Sequence, residues 1–160
     1  MKLLTPARIA LLPALFAAAV VPAATAAHAS GGSFHIHGTI SNIHTVPCPT
    51  PGPLACSEST VSGDLNGTGH GSILAVTPTS NPSVFVVTST VTFVGAHGTF
   101  THNDSGAANF AGAGESVSLG EIASGTGIFT GVTGYLQLRA TIDPATGIGS
   151  GDYQGVLTLP

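Results

Sequence analysis

The residues best equipped for chemistry in this chain are its histidines, its carboxylates and two cysteines, and their spacing limits what each can do. His35 and His37 stand two apart, so on a strand both imidazoles point the same way, an arrangement that zinc and copper sites use. They are the candidate metal pair. His44 has the opposite parity and joins them only if the chain bulges near Ser41-Asn42, and no carboxylate follows at short spacing. Without a third ligand, solvated histidines on an outer face fit the pattern better than a metal centre. His70 lies in Gly69-His70-Gly71-Ser72, but the chain has no G-x-S-x-G elbow and no strand–turn–helix setting for a serine hydrolase. Glu115 and Glu121 share a strand face yet are separated by about 20 Å at strand rise, beyond the reach of a glycosidase pair. The catalytic residues are therefore unknown at this level, and no motif calls for a cofactor.

Cys48 and Cys56 enclose Pro49-Thr50-Pro51-Gly52-Pro53-Leu54-Ala55, and a disulfide closing this stiff loop, within residues 45–59, is the expected state in an exported chain. Export is expected from residues 1–29. Lys2 and Arg8 precede an apolar run, Ile9 to Val21, and Ala27-His28-Ala29 is a small-residue cleavage signature that places the mature start at Ser30. That run is too short for a good membrane span. Residues 30–160 then form one secreted domain of a size that buries roughly two-thirds of its unfolded surface. Within it Arg139 is the only Lys or Arg, against all seven carboxylates. One cation cannot neutralise a run of phosphates, so nucleic acid is excluded as a partner. The absence of lysine there also removes Schiff-base and P-loop chemistry.

The elements that must position these groups read as strands throughout. All 22 glycines fall in residues 30–160, and Val, Ile, Leu and Phe recur between them at short intervals, the pattern of an all-β sandwich or barrel. Ser33 to Ile43 alternates, with Phe34, Ile36 and Ile40 on one face. Thr60 to Leu65 and Gly69 to Thr77 read as a strand pair joined at Asn66-Gly67. Ser83 to Gly95 is the longest predicted strand, with Phe85, Val87, Val91 and Phe93 on one side. His97 to Thr101 runs into a predicted polar turn, His102-Asn103-Asp104-Ser105-Gly106, and Glu115 to Ile122 is a further strand. Tyr135 to Asp143 alternates cleanly, Leu136, Leu138, Ala140 and Ile142 against Gln137, Arg139 and Thr141. Asp143-Pro144-Ala145-Thr146-Gly147 then fits a type I turn closed by a positive-φ glycine. In the return strand, Gly149, Gly151 and Gly155 share a face with Tyr153, Leu157 and Leu159, which implies sharp curling.

At Gly125-Thr126-Gly127-Ile128-Phe129-Thr130-Gly131-Val132-Thr133-Gly134 the chain resembles the dirigent proteins and the allene oxide cyclase-like barrels, together with small exported bacterial domains of the same plan. The motif residues are Gly125, Thr126, Gly127, Phe129 and Gly134; the family usually has alanine where Val132 stands. The resemblance implies an all-β fold, a single antiparallel eight-stranded barrel with a central cavity, and frequently a homotrimer. It also implies either the orienting of phenolic species without oxidation or the cyclisation of a fatty-acid epoxide. None of that family's polar cavity residues can be aligned onto this chain.

Three functions follow as expectations. The first is a barrel that binds or orients a small hydrophobic or phenolic ligand, without its own nucleophile, in a cavity lined by Phe34, Ile36, Phe85, Val87, Phe93, Leu136, Leu138 and Tyr153. The second is a cyclase or isomerase, which needs a polar group inside the barrel. The third is a structural or surface-associated protein whose barrel is filled by its own side chains.

Overall fold

The structure, a computed structural model, describes residues 31–160; the segment read as an export signal lies outside the described residues. Eight strands follow in chain order: β1 (Ser33–Val46), β2 (Ala55–Gly63), β3 (Gly67–Pro78), β4 (Val84–Gly95), β5 (Gly98–Asn109), β6 (Glu115–Gly125), β7 (Thr133–Ile142) and β8 (Gly149–Thr158). Each pairs antiparallel with its neighbours, and β1 pairs with β8, so the sheet closes into an eight-stranded barrel with no free edge. This is the architecture that the family resemblance implied.

Alternation fixes which side chains point inward, and bulges correct the register where the wall must curl. In β1 the register shifts between Ser41 and His44, with Asn42 at φ 53°, a left-handed conformation that asparagine tolerates better than most residues. The extra residue returns Ile43 to the interior, where it packs on the core, and leaves His44 on the outside. Two predicted elements are corrected here. The turn between β2 and β3 is not an Asn66-Gly67 turn: Gly63 takes the positive φ, 116°, and Asn66 bonds back to its carbonyl at 2.9 Å. Leu65 thereby drops into the barrel end and is buried. The stretch from His102 to Gly106 is not a turn either but the middle of β5. Its turn-forming composition is overridden by ladder pairing on both sides, to β4 and to β6.

The two ends of the barrel differ. At the end holding the β2–β3, β4–β5 and β6–β7 connections, the interior is packed by Ile36, Val61, Leu65, Phe93, Phe100, Ile122, Phe129, Val132, Leu136, Tyr153 and Leu157. Phe129 comes from a 3-10 turn, Gly127–Phe129, and meets Phe100 edge-on at 5.2 Å between ring centroids. Phe93 stacks obliquely on Phe100 at the same distance. The motif that carried the resemblance builds this closure. Thr126 Oγ1 accepts from Thr99 N at 3.1 Å and bonds Thr99 Oγ1 at 2.8 Å, while Ile128 N donates to His97 O. Gly127 has φ 61°, and a Cβ there would overlap the His97 carbonyl, so the position requires glycine. At the opposite end lie the disulfide loop and the Asp143–Gly147 turn. That turn forms as its sequence predicts: Ala145 N donates to Asp143 Oδ1 at 2.9 Å and Gly147 has φ 69°.

Candidate functional site

Between the packed end and the open end the barrel retains an internal cavity of about 170 Å³. Its apolar wall includes Ile40, Ile43, Val61, Val91, Phe93, Phe100, Leu136, Leu138 and Ala140. Its polar groups are the hydroxyls of Ser57, Ser59, Ser116 and Ser118, the Tyr153 phenol, and the imidazole of His102. A space of about 890 Å³ at the open mouth is larger and shares Ile40, Ser116 and Ala140 with the cavity, but it is broad, and its charged members Arg139, Asp152 and Glu115 are solvent-exposed. The enclosed space, where water is excluded and a polar group acts in a low dielectric, is the better candidate.

His102 and Asp104 are the site's distinctive pair. Phe100, His102, Asp104 and Ala108 follow one parity along β5, and all four are buried. His102 Nδ1 lies 2.6 Å from Asp104 Oδ1, with the two side chains 3% and 4% exposed. The opposing strand makes room for them: Asp104 pairs with Gly120, where a Cβ would overlap Asp104 Oδ1 and fall 2.6 Å from His102 Nδ1. Gly69 and Gly71 likewise leave space for Ser59 and Ser57, whose hydroxyl oxygens lie 2.6 Å from where a Cβ would stand. Inward glycines on one strand thus accommodate inward polar groups on the next.

Tyr153 has a different role. Its hydroxyl accepts from Leu65 N at 2.8 Å, tying β8 to the turn that plugs the closed end. Burial pushes the phenol above its ordinary range; the Leu65 hydrogen bond opposes this, and Asp64 adds a smaller upward push. It is a neutral strut beside the cavity rather than a proton carrier.

Of the eight residues expected to line the cavity, Phe93, Leu136, Leu138 and Tyr153 do so, and Ile36 packs in the core behind them. Phe34, Phe85 and Val87 do not line it, a correction to the expectation. Phe34 is 52% exposed at the rim of the closed end, because Leu65, Phe129 and Leu157 already fill the interior there. Phe85 and Val87 lie toward the open end, where Phe85 rests against exposed Phe110 at 5.4 Å. His35 and His37 are on the outer face; His37 Nδ1 lies 3.0 Å from Asp64 Oδ2, and its side chain is largely exposed. Among the described residues no group of three or more His, Cys, Asp or Glu could hold a metal ion. Cys48 and Cys56 form the expected disulfide. Missed by sequence reasoning were His102, Asp104 and the serines. The signal that could have found them is the parity of Phe100, His102, Asp104, Gly106 and Ala108, small or buried types on one face through a polar run.

The fold is a closed antiparallel barrel with one packed end and a small internal cavity, polar at a few fixed points. Residues 50–147 match the family model described as a protein of unknown function (DUF3224), and the chain belongs to that family. Similar solved structures include two pterocarpan synthase dirigent proteins. GePTS1 is 15% identical, with 81% of this chain and 91% of that one covered and a TM-score of 0.48. PsPTS1 is 19% identical, with 80% and 96% covered and a TM-score of 0.46. No curated protein matches the chain.

Proposed function

We propose that this protein holds a small, mainly apolar molecule inside its barrel and fixes its orientation. The observation that carries this reading is the internal cavity, apolar over most of its wall and polar only at four serines, Tyr153 and His102. At about 170 Å³ it is smaller than the roughly 300–1,000 Å³ typical of drug-sized ligands. A one-ring phenol or ketone suits it; an extended fatty-acid chain does not. The wall offers no cation for a carboxylate or phosphate, since Arg139 is exposed on the outside, so the guest is neutral. The Cys48–Cys56 bridge supports action in an oxidising, extracellular setting.

Titration calorimetry with a panel of one-ring phenols and cyclic ketones, set against a long-chain fatty acid, tests the reading. Binding is expected for the former only, and Ala140→Phe, which fills the cavity, is expected to weaken it at least tenfold while the fold is kept. Equal binding by the filled variant, or no binding by any small ring compound, would overturn it.

A further inference from the structure

The buried pair on β5 is chemically more specific than a binding site requires. A histidine and an aspartate removed from water lose hydration, and a binding cavity could be lined with apolar residues at no such cost. Here both side chains point inward, Gly120 leaves them room, and the imidazole lines the cavity wall. An ionised Asp104 can only accept a hydrogen bond, so the proton of the 2.6 Å contact belongs to His102 Nδ1. That leaves Nε2 as the basic nitrogen, and no hydrogen bond to it is found among the described residues. Ser118, on the strand that supplies Gly120, also lines the cavity. The cavity therefore contains a base with its orienting carboxylate.

We propose that His102 is a general base, positioned by Asp104, that moves a proton on a small neutral enolisable carbonyl compound seated in the cavity. The step balances without an oxidant or a second reactant. The C–H bond next to the carbonyl breaks and its proton bonds to His102 Nε2. The electron pair left behind forms the C=C bond of an enolate, and the carbonyl π pair moves to oxygen. The imidazolium, its charge balanced by Asp104 across Nδ1–H, then returns the proton to oxygen or to another carbon. The product is a tautomer or a compound with a shifted double bond. No covalent bond to the protein forms. The inference rests on the binding role proposed for the cavity, and it goes further by naming a reaction.

The test uses the purified chain in D₂O with cyclohexanone as the probe. Saturation-transfer NMR reads binding, and loss of the proton signal beside the carbonyl reads exchange. Wild type is expected to exchange the probe at least tenfold faster than an equal concentration of free imidazole. His102→Gln, which keeps the six other histidines, is expected to bind the probe and lose that acceleration. Binding with no acceleration over His102→Gln overturns the reaction while leaving the binding role intact. Absence of saturation transfer overturns both. For Asp104 the readout is the ¹⁵N signature of the His102 ring, expected as Nδ1–H in wild type. Asp104→Asn is expected to change that tautomer and slow exchange at least tenfold. An Nε2–H ring in the unmutated chain, or an Asn variant with unchanged tautomer and rate, removes the positioning role.

Discussion

Two pairs of phenylalanines show how differently the two ends of this barrel are built. At the closed end Phe100 and Phe129, from β5 and the 3-10 turn, meet edge-on inside a sealed cluster, and Phe100 is 1% exposed. At the open end Phe85 and Phe110 touch at nearly the same distance, yet Phe110 is 57% exposed. The same residue type and almost the same ring separation therefore carry different energies, because one pair is surrounded by close-packed atoms and the other is half in water. Stability is concentrated at one end, which leaves the middle of the barrel free to hold space and polar groups.

The largest expected effect tests that asymmetry directly. Phe129→Ala should cost about 3–5 kcal/mol in denaturant unfolding, as deletions of buried aromatics do, whereas Phe85→Ala should cost about 1 kcal/mol. Comparable losses would erase the distinction between the ends. The next effect concerns the polar middle. Asp104→Ala, which strands the imidazole, should cost about 2 kcal/mol, while the double replacement His102→Leu with Asp104→Leu should be neutral or stabilising. That outcome, read by urea unfolding, would show that the pair is kept for something other than stability.

Tyr153→Phe sharpens the closed end. It removes the acceptor for Leu65 N and should cost about 1–2 kcal/mol. Because burial raises the folded-state phenol pKa, its contribution is complete below the unfolded value, near pH 10, and is lost as pH rises through the higher folded value. Wild type should thus lose more stability than the Phe variant in an alkaline titration. The smallest effect lies at the open end. Asp143 is held below the usual carboxylate range, first by the Ala145 N–H and then by the Thr146 hydroxyl. Its contribution is present above the unfolded carboxyl pKa, near 4, and lost as pH falls through the lower folded value. Asp143→Ala should lower Tm slightly at pH 7 and not at pH 2.

Much of this molecule could be read from residues alone, and the failures have a common cause. The β7–β8 hairpin was legible because Leu136 and Leu138 alternate with polar neighbours, and Asp143, Pro144 and Gly147 each hold the turn position that their chemistry favours. The site was not legible because its strand lacks that contrast. His102, Asn103, Asp104, Ser105 and Gly106 are polar or small on both faces, and locally such a run specifies a turn. Only pairing on both sides, with Val87 to Val91 and Ser118 to Ile122 as partners in the ladder, makes it extended. Phe34 failed for a different reason: parity gives the face of a strand but not the depth along the barrel. His44 shows the converse, where one left-handed asparagine changes the face that parity assigns.

The Gly125–Gly134 clip has a consequence for traffic. A barrel corked at one mouth is a cup, not a pipe, so any guest held as proposed would arrive and depart by the same doorway. Uptake and release of such a guest would then compete at the loops around that doorway.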